Sequence, residues 1–123
     1  MTNNFSMTGT TITQIPGMSI TAYIPAGRRV RLTWNAYTYT TSGGNSIVSG
    51  WVGTVSSGTR IAATEDDYST TNQGHSLHGT GFYTPSSAGS TTLNLGVANG
   101  TGGQNVTIGA STTVPSYMTL ELV

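Results

Sequence analysis

The chain has no lysine and no cysteine. Its positive charges are Arg28, Arg29, Arg31 and Arg60, and its acids are Glu65, Asp66, Asp67 and Glu121, so the formal net charge is zero. Charged residues make up 7% of the sequence, against about 25% in an average globular domain. Each shortage excludes something. Without cysteine there is no disulfide scaffold, thiol nucleophile or zinc–thiolate site. Four arginines balanced by four acids make no basic stripe able to neutralise several phosphates, so nucleic acid is not an expected partner. No apolar run approaches the ~20 residues of a membrane helix. The opening Met1-Thr2-Asn3-Asn4 lacks the basic-then-apolar pattern of a secretion signal. Lysine, glutamate and leucine, the usual fillers of helix surfaces, are scarce, which argues against long helices.

What is present is threonine, serine, asparagine and 17 glycines in 123 residues. That length supports one domain. Size scaling gives a folded surface of roughly 6,200 Å² against about 18,400 Å² unfolded, enough burial for a core without staples. Strand signals recur along the chain at spacings of about 8–14 residues, separated by Gly, Pro, Ser or Asn. In Met18-Ser-Ile-Thr-Ala-Tyr-Ile24, the residues Met18, Ile20, Ala22 and Ile24 fall on one face. Pro25-Ala26-Gly27 then breaks the ladder. Residues 28–39 form the longest expected strand, with Val30, Leu32, Trp34 and Ala36 inward and Arg29, Arg31, Thr33, Asn35, Tyr37 and Tyr39 outward.

After a turn at Ser42-Gly43-Gly44-Asn45, residues 47–55 are apolar at both parities, the signature of a strand covered on both faces. Further strands are expected over 59–64, 75–84, 90–98, 105–110 and 116–123, with a weaker opening strand near 8–15. The polar stretch 65–74 reads as an exposed loop. The total is about nine strands in an all-β, antiparallel sandwich. Residues 1–17 are expected to be an N-terminal arm or edge strand, and 18–123 the sandwich domain. An internal echo pairs Ile24-Pro-Ala-Gly-Arg-Arg-Val-Arg-Leu32 with Pro85-Ser-Ser-Ala-Gly-Ser-Thr-Thr-Leu-Asn-Leu95. Turn chemistry at the entry to two core strands accounts for it.

Three stretches carry a resemblance: Ser19-Ile-Thr-Ala-Tyr-Ile-Pro-Ala-Gly-Arg-Arg-Val-Arg-Leu32, Phe82-Tyr-Thr-Pro-Ser-Ser-Ala-Gly-Ser-Thr-Thr-Leu93 and Pro115-Ser-Tyr-Met-Thr-Leu-Glu-Leu-Val123. Together they resemble small jelly-roll domains of tailed-bacteriophage virions, found as head decoration proteins or as tail and fibre tips. Those domains look like the trimeric tumour-necrosis-factor and complement-head jelly rolls. The resemblance implies eight to ten strands, a homotrimer, a virion location and a structural or adhesive role. Its partners would be further copies of the chain, a major capsid or tail protein, and a host surface glycan. The Met1 start with no preceding shaft departs from the fibre-tip pattern and favours a decoration protein.

The residues able to carry chemistry are few. His75 and His78 lie at i and i+3, so a strand points them to opposite faces and one ion does not take both. At a threefold axis, three copies of one of them would converge, which makes them candidate axial residues. Glu65-Asp66-Asp67 supplies hard oxygens without the spacing of a calcium loop, and adjacent acids do not make the opposed pair of a glycosidase. No Gly-x-Ser-x-Gly elbow appears, and Gly100-Thr-Gly-Gly103 precedes no helix. No enzyme and no cofactor are expected. The densest positive charge, Arg28, Arg29 and Arg31, is the candidate docking site for a partner's carboxylates, with Glu121 as a candidate counter-charge. Trp34 is expected in the core, and Trp51 in the core or at a subunit interface. Tyr37, Tyr39, Trp51, Tyr68 and Tyr83, with Tyr23 and Tyr117 beside them, are candidates for interface contact or sugar stacking. Asn4, Asn99 and Asn105 match the N-glycosylation triplet, which carries no weight without a secretion signal.

Overall fold

The structure is a computed structural model and describes residues 1, 3–40, 43–68, 73–110, 113 and 115–123. Nine strands occur among them. They are β1 (Phe5–Thr8), β2 (Thr13–Ile24), β3 (Val30–Thr40), β4 (Gly44–Val52), β5 (Thr59–Tyr68), β6 (Gln73–Tyr83), β7 (Gly89–Asn99), β8 (Asn105–Ile108) and β9 (Tyr117–Leu122). The accessible surface is 5956 Å², close to the area that the chain's mass leads one to expect.

Four antiparallel pairings define the topology: β1 with β8, β2 with β7, β3 with β6 and β4 with β5. They are the rungs of one long hairpin rolled on itself. The rolling gives two sheets, ordered β1-β8-β3-β6 and β2-β7-β4-β5, which is a jelly-roll sandwich. β9 is an addition. It pairs with residues 30–35 of β3, on the edge where β8 pairs with residues 38–40. Between the two, the Tyr37 N–H donates to Ser116 Oγ at 3.0 Å and the Gly109 N–H donates to Tyr37 O at 2.8 Å. Thus two short segments share one edge, and the backbone of β3 stays satisfied at the junction.

Alternation decides which side chains are buried. On β3, Val30, Leu32, Trp34 and Ala36 point into the core, facing Leu93, Leu95 and Val97 of β7. Trp34 is 1% exposed, and its ring lies over Gly79, its register partner on β6. β2 changes parity between Gln14 and Ser19, where Gly17 takes φ 75°. That bulge lets both Ile15 and Met18 reach the core. Residue 17 therefore lies inside a strand, and residues 5–8 and 13–17 belong to an end strand of each sheet.

Two other expectations shift. β5 runs on through Glu65-Asp66-Asp67 to Tyr68, where an exposed loop was expected. Glu65 and Asp67 point outward and Asp66 inward toward His75, so a strand accommodates all three acids. The strand expected over 47–55 begins at Gly44 and ends at Val52. Ser42 of the expected turn lies outside the described residues, as do residues 69–72 of the expected loop.

The sandwich interior is apolar along most of its length and polar at one end. There Thr38, Thr40 and Ser46 are fully buried, with Asn99 and Gln104 nearly so. The Tyr68 hydroxyl bonds Thr38 Oγ1, and Asn99 Nδ2 donates to the Gln104 carbonyl at 2.9 Å. The two-sided character of β4 also has its explanation. Val48 faces the core, while Trp51 lies on the outer face, 9% exposed, donating from Nε1 to Ser49 Oγ at 2.8 Å. The β4–β5 connection folds back over this sheet and buries Val55 against Gly96 of β7.

Candidate docking surface

The outer face of the β3 sheet is a ladder of polar rungs. Glu121, Arg31 and Phe82 form one, then Thr119, Thr33 and Thr80, then Tyr117, Asn35 and His78. Most of these side chains end in neutral hydroxyls or amides, and the face carries charge chiefly at its first rung. Arg31 Nη2 meets Glu121 Oε2 at 2.6 Å, with both side chains about half exposed. Arg29 lies with its guanidinium carbon 4.0 Å from the centre of the Phe82 ring, a cation–π contact.

Arg28 closes the neighbouring turn. Its N–H donates to Pro25 O at 3.2 Å, and Gly27 takes φ 70° at the third position, as a type II turn requires. The Gly27 N–H donates to Pro85 O at 2.8 Å. The two echoing Pro-to-Gly turns are therefore neighbours at the same end of the sandwich. That end gathers Arg28, Arg29, Arg31, Phe82, Leu122 and Val123. Phe82 is 44%, Leu122 58% and Val123 49% exposed.

Other expected site residues separate. Tyr37 and Tyr39 share the outer face with Arg31, as parity requires, but six and eight residues along β3 place them roughly 20–26 Å away. Both are half-buried, Tyr37 resting over Gly74 and Gly109. Trp51 and Tyr68 are buried, and Tyr83 packs inward against the core. Trp51 and Tyr68 thus offer no exposed ring for stacking, and Tyr83 is half-buried. The most exposed aromatic is Tyr23, at 69%, with Tyr117 at 47%. Phe82 was missed. Its alternation with Gly81 and Tyr83 was the signal available.

The histidines point to opposite sides of β6. His78 is exposed on the outer face, in register with Asn35. His75 turns inward, where Nδ1 bonds Asp66 Oδ2 and its ring lies 4.7 Å from that of Tyr68. This contact occupies Nδ1 of His75 within its own chain, while the His78 side chain stays exposed. Among the described residues no group of three or more His, Asp or Glu is placed to hold a metal ion. No helix among them is long and apolar enough to cross a membrane. The Tyr68 hydroxyl is pushed above its ordinary pKa by burial, against the opposing pull of its hydrogen bonds to Thr38 and Ser46.

No protein-family model matches the chain, and no curated protein does. Among solved structures it is similar to the Gt strain of infectious bursal disease virus, at 14% identity and a TM-score of 0.40, over 96% of this chain and 36% of that one. It is also similar to the Gx strain of the same virus, at 16% identity and a TM-score of 0.36, over 96% of this chain and 35% of that one. The chain spans about a third of the length of the viral chains it matches.

Proposed function

We propose that this protein is a non-enzymatic structural component of a tailed-bacteriophage particle, a homotrimeric decoration protein docked on the capsid surface. The observation that carries the reading is the gathering of Arg28, Arg29, Arg31 and Phe82 at one end of a sheet whose face, apart from the Glu121 that pairs with Arg31, is neutral. Guanidinium groups beside an exposed ring form a compact polar-and-apolar anchor, able to meet a carboxylate and an apolar contact together. The hydroxyl-rich rungs beyond it carry little charge to repel an identical neighbour. Several weak anchors acting together hold a multimer on a lattice better than any one does. The sequence resemblance to phage jelly rolls agrees with this picture, and the fold permits it without selecting it.

The test is occupancy on purified particles. Arg29→Ala with Arg31→Ala lowers the amount of protein bound per particle, and unchanged occupancy counts against the reading. A second reading, a receptor- or carbohydrate-binding tip of tail or fibre, draws on the exposed rings of Tyr23 and Tyr117. Specific binding on a glycan array, with no binding to capsids, decides for it.

A further inference from the structure

Sheet β1-β8-β3-β6 has an incomplete outer lane. β1 is four residues long and covers only β8. β9 occupies the rest of the same edge of β3, and among the described residues it pairs with β3 alone. Its outer edge, from Tyr117 to Leu122, is open. In the facing sheet β2 is the end strand and pairs with β7 alone. Past the bulge at Gly17, residues 18–24 of β2 form a regular run with a second open edge.

Between these edges lies a cleft of about 130 Å³, lined by Ala22, Tyr23, Ile24, Val30, Leu120 and Leu122, with Glu121 at its rim. A cavity of roughly 150 Å³ accommodates a benzene ring, so this cleft takes one apolar side chain. Four of the five exposed large hydrophobic residues, Tyr23, Tyr117, Leu122 and Val123, lie on or beside these two strands. A long open edge with apolar flanks is what soluble proteins ordinarily blunt with charge or cover.

The charges at the slot choose the occupant. Glu121 is held by Arg31. Arg28 and Arg29 stand at the end of the slot where the Val123 N–H donates to Arg29 O at 3.0 Å. That end therefore has a surplus of positive charge. A second copy pairing antiparallel through β9 would bring Pro115, Ser116 and Tyr117 there, none of them acidic.

We infer that the open edge of β9 takes up an extended strand of another protein, with an apolar side chain in the cleft and a carboxylate against Arg28. The backbone ladder supplies the adhesion, and the cleft and the arginine supply the selectivity. That this strand belongs to a particle protein rests on the reading proposed above. The slot itself does not.

The probe is a fluorescein-labelled synthetic peptide, Asp-Glu-Thr-Val-Thr-Ile-Thr-Val, compared with a version that begins Lys-Lys. Fluorescence polarisation should show saturable binding of the acidic peptide, with the Lys-Lys version weaker by about tenfold or more. Arg28→Glu and Leu122→Asp, both at exposed positions, should each weaken binding to a similar degree while melting like the wild type. Three results overturn the inference: no saturable binding, equal binding of both peptides, or a dimer in sedimentation that Leu122→Asp converts to monomer. The last makes a second copy the occupant. A wild-type protein that binds no peptide yet fully occupies particles sinks the slot alone. Peptide binding by a protein absent from particles sinks the virion reading alone.

Discussion

Trp34 and Gly79 are register partners on β3 and β6, and the indole occupies the space that a side chain at position 79 would fill. A Cβ placed there meets the six-membered ring of Trp34 and the Thr64 hydroxyl. The largest fully buried side chain of the core thus depends on a hydrogen atom across the ladder.

Gly79→Ala should therefore destabilise the fold by about 1–3 kcal/mol, the usual cost of overpacking. Urea denaturation followed by tryptophan fluorescence measures it, with the midpoint falling and the slope unchanged. An unchanged midpoint would mean that the indole has room to move.

Arg31 and Glu121 lie on the surface, so their ion pair contributes little to folding. Arg31→Ala should cost less than about 1 kcal/mol. The same substitution, combined with Arg29→Ala, should reduce particle docking. A large loss of stability in the double variant would turn any docking defect into a folding defect, and thermal melts separate the two.

Tyr68 sets an alkaline limit. A free phenol ionises near 10.0, and burial holds this one higher in the folded state. The unfolded chain then loses the proton first, so this contribution is intact below pH 10.0 and is lost as the pH rises through the folded-state value. Tyr68→Phe should be less stable at neutral pH, because Thr38 loses one of its two hydrogen-bond partners, yet its stability should fall less between neutral and strongly alkaline pH. Parallel pH profiles for the two proteins would contradict the assignment.

His75 and His78 should not share a transition metal. Nickel or zinc at micromolar concentration is expected to leave the melting temperature unchanged. A shift abolished by His75→Ala would show that the Asp66 contact yields to an ion.

Much of the sandwich was legible because alternation at period two is a local signal. Residues 18–24 and 28–39 show it cleanly, and the two-sided apolar pattern of 47–55 pointed to cover on both faces. Glu65-Asp66-Asp67 hid the end of β5, since three successive acids look like a solvated loop. Only the tertiary pairing of Asp66 with His75 makes an inward acid tolerable there. The sharing of one β3 edge by β8 and β9 joins residues between 66 and 92 positions apart, which no local pattern reports. The arginines of the docking end were visible in the sequence, but their ring partner Phe82 was not. The tyrosines counted with them were scattered by the geometry of the strands, with Tyr68 and Tyr83 turned inward.

The central claim is that the neutral, hydroxyl-rich sandwich sits on a particle by its arginine-bearing end. The most direct measurement is an electron cryo-microscopy reconstruction of native particles that carry this protein. Docking by the arginine-bearing end predicts clusters of three β-sandwich lobes on the particle surface, with the turn at Arg28 facing the lattice. Particles that lack the protein, or lobes whose Arg28 end faces solvent, would contradict it.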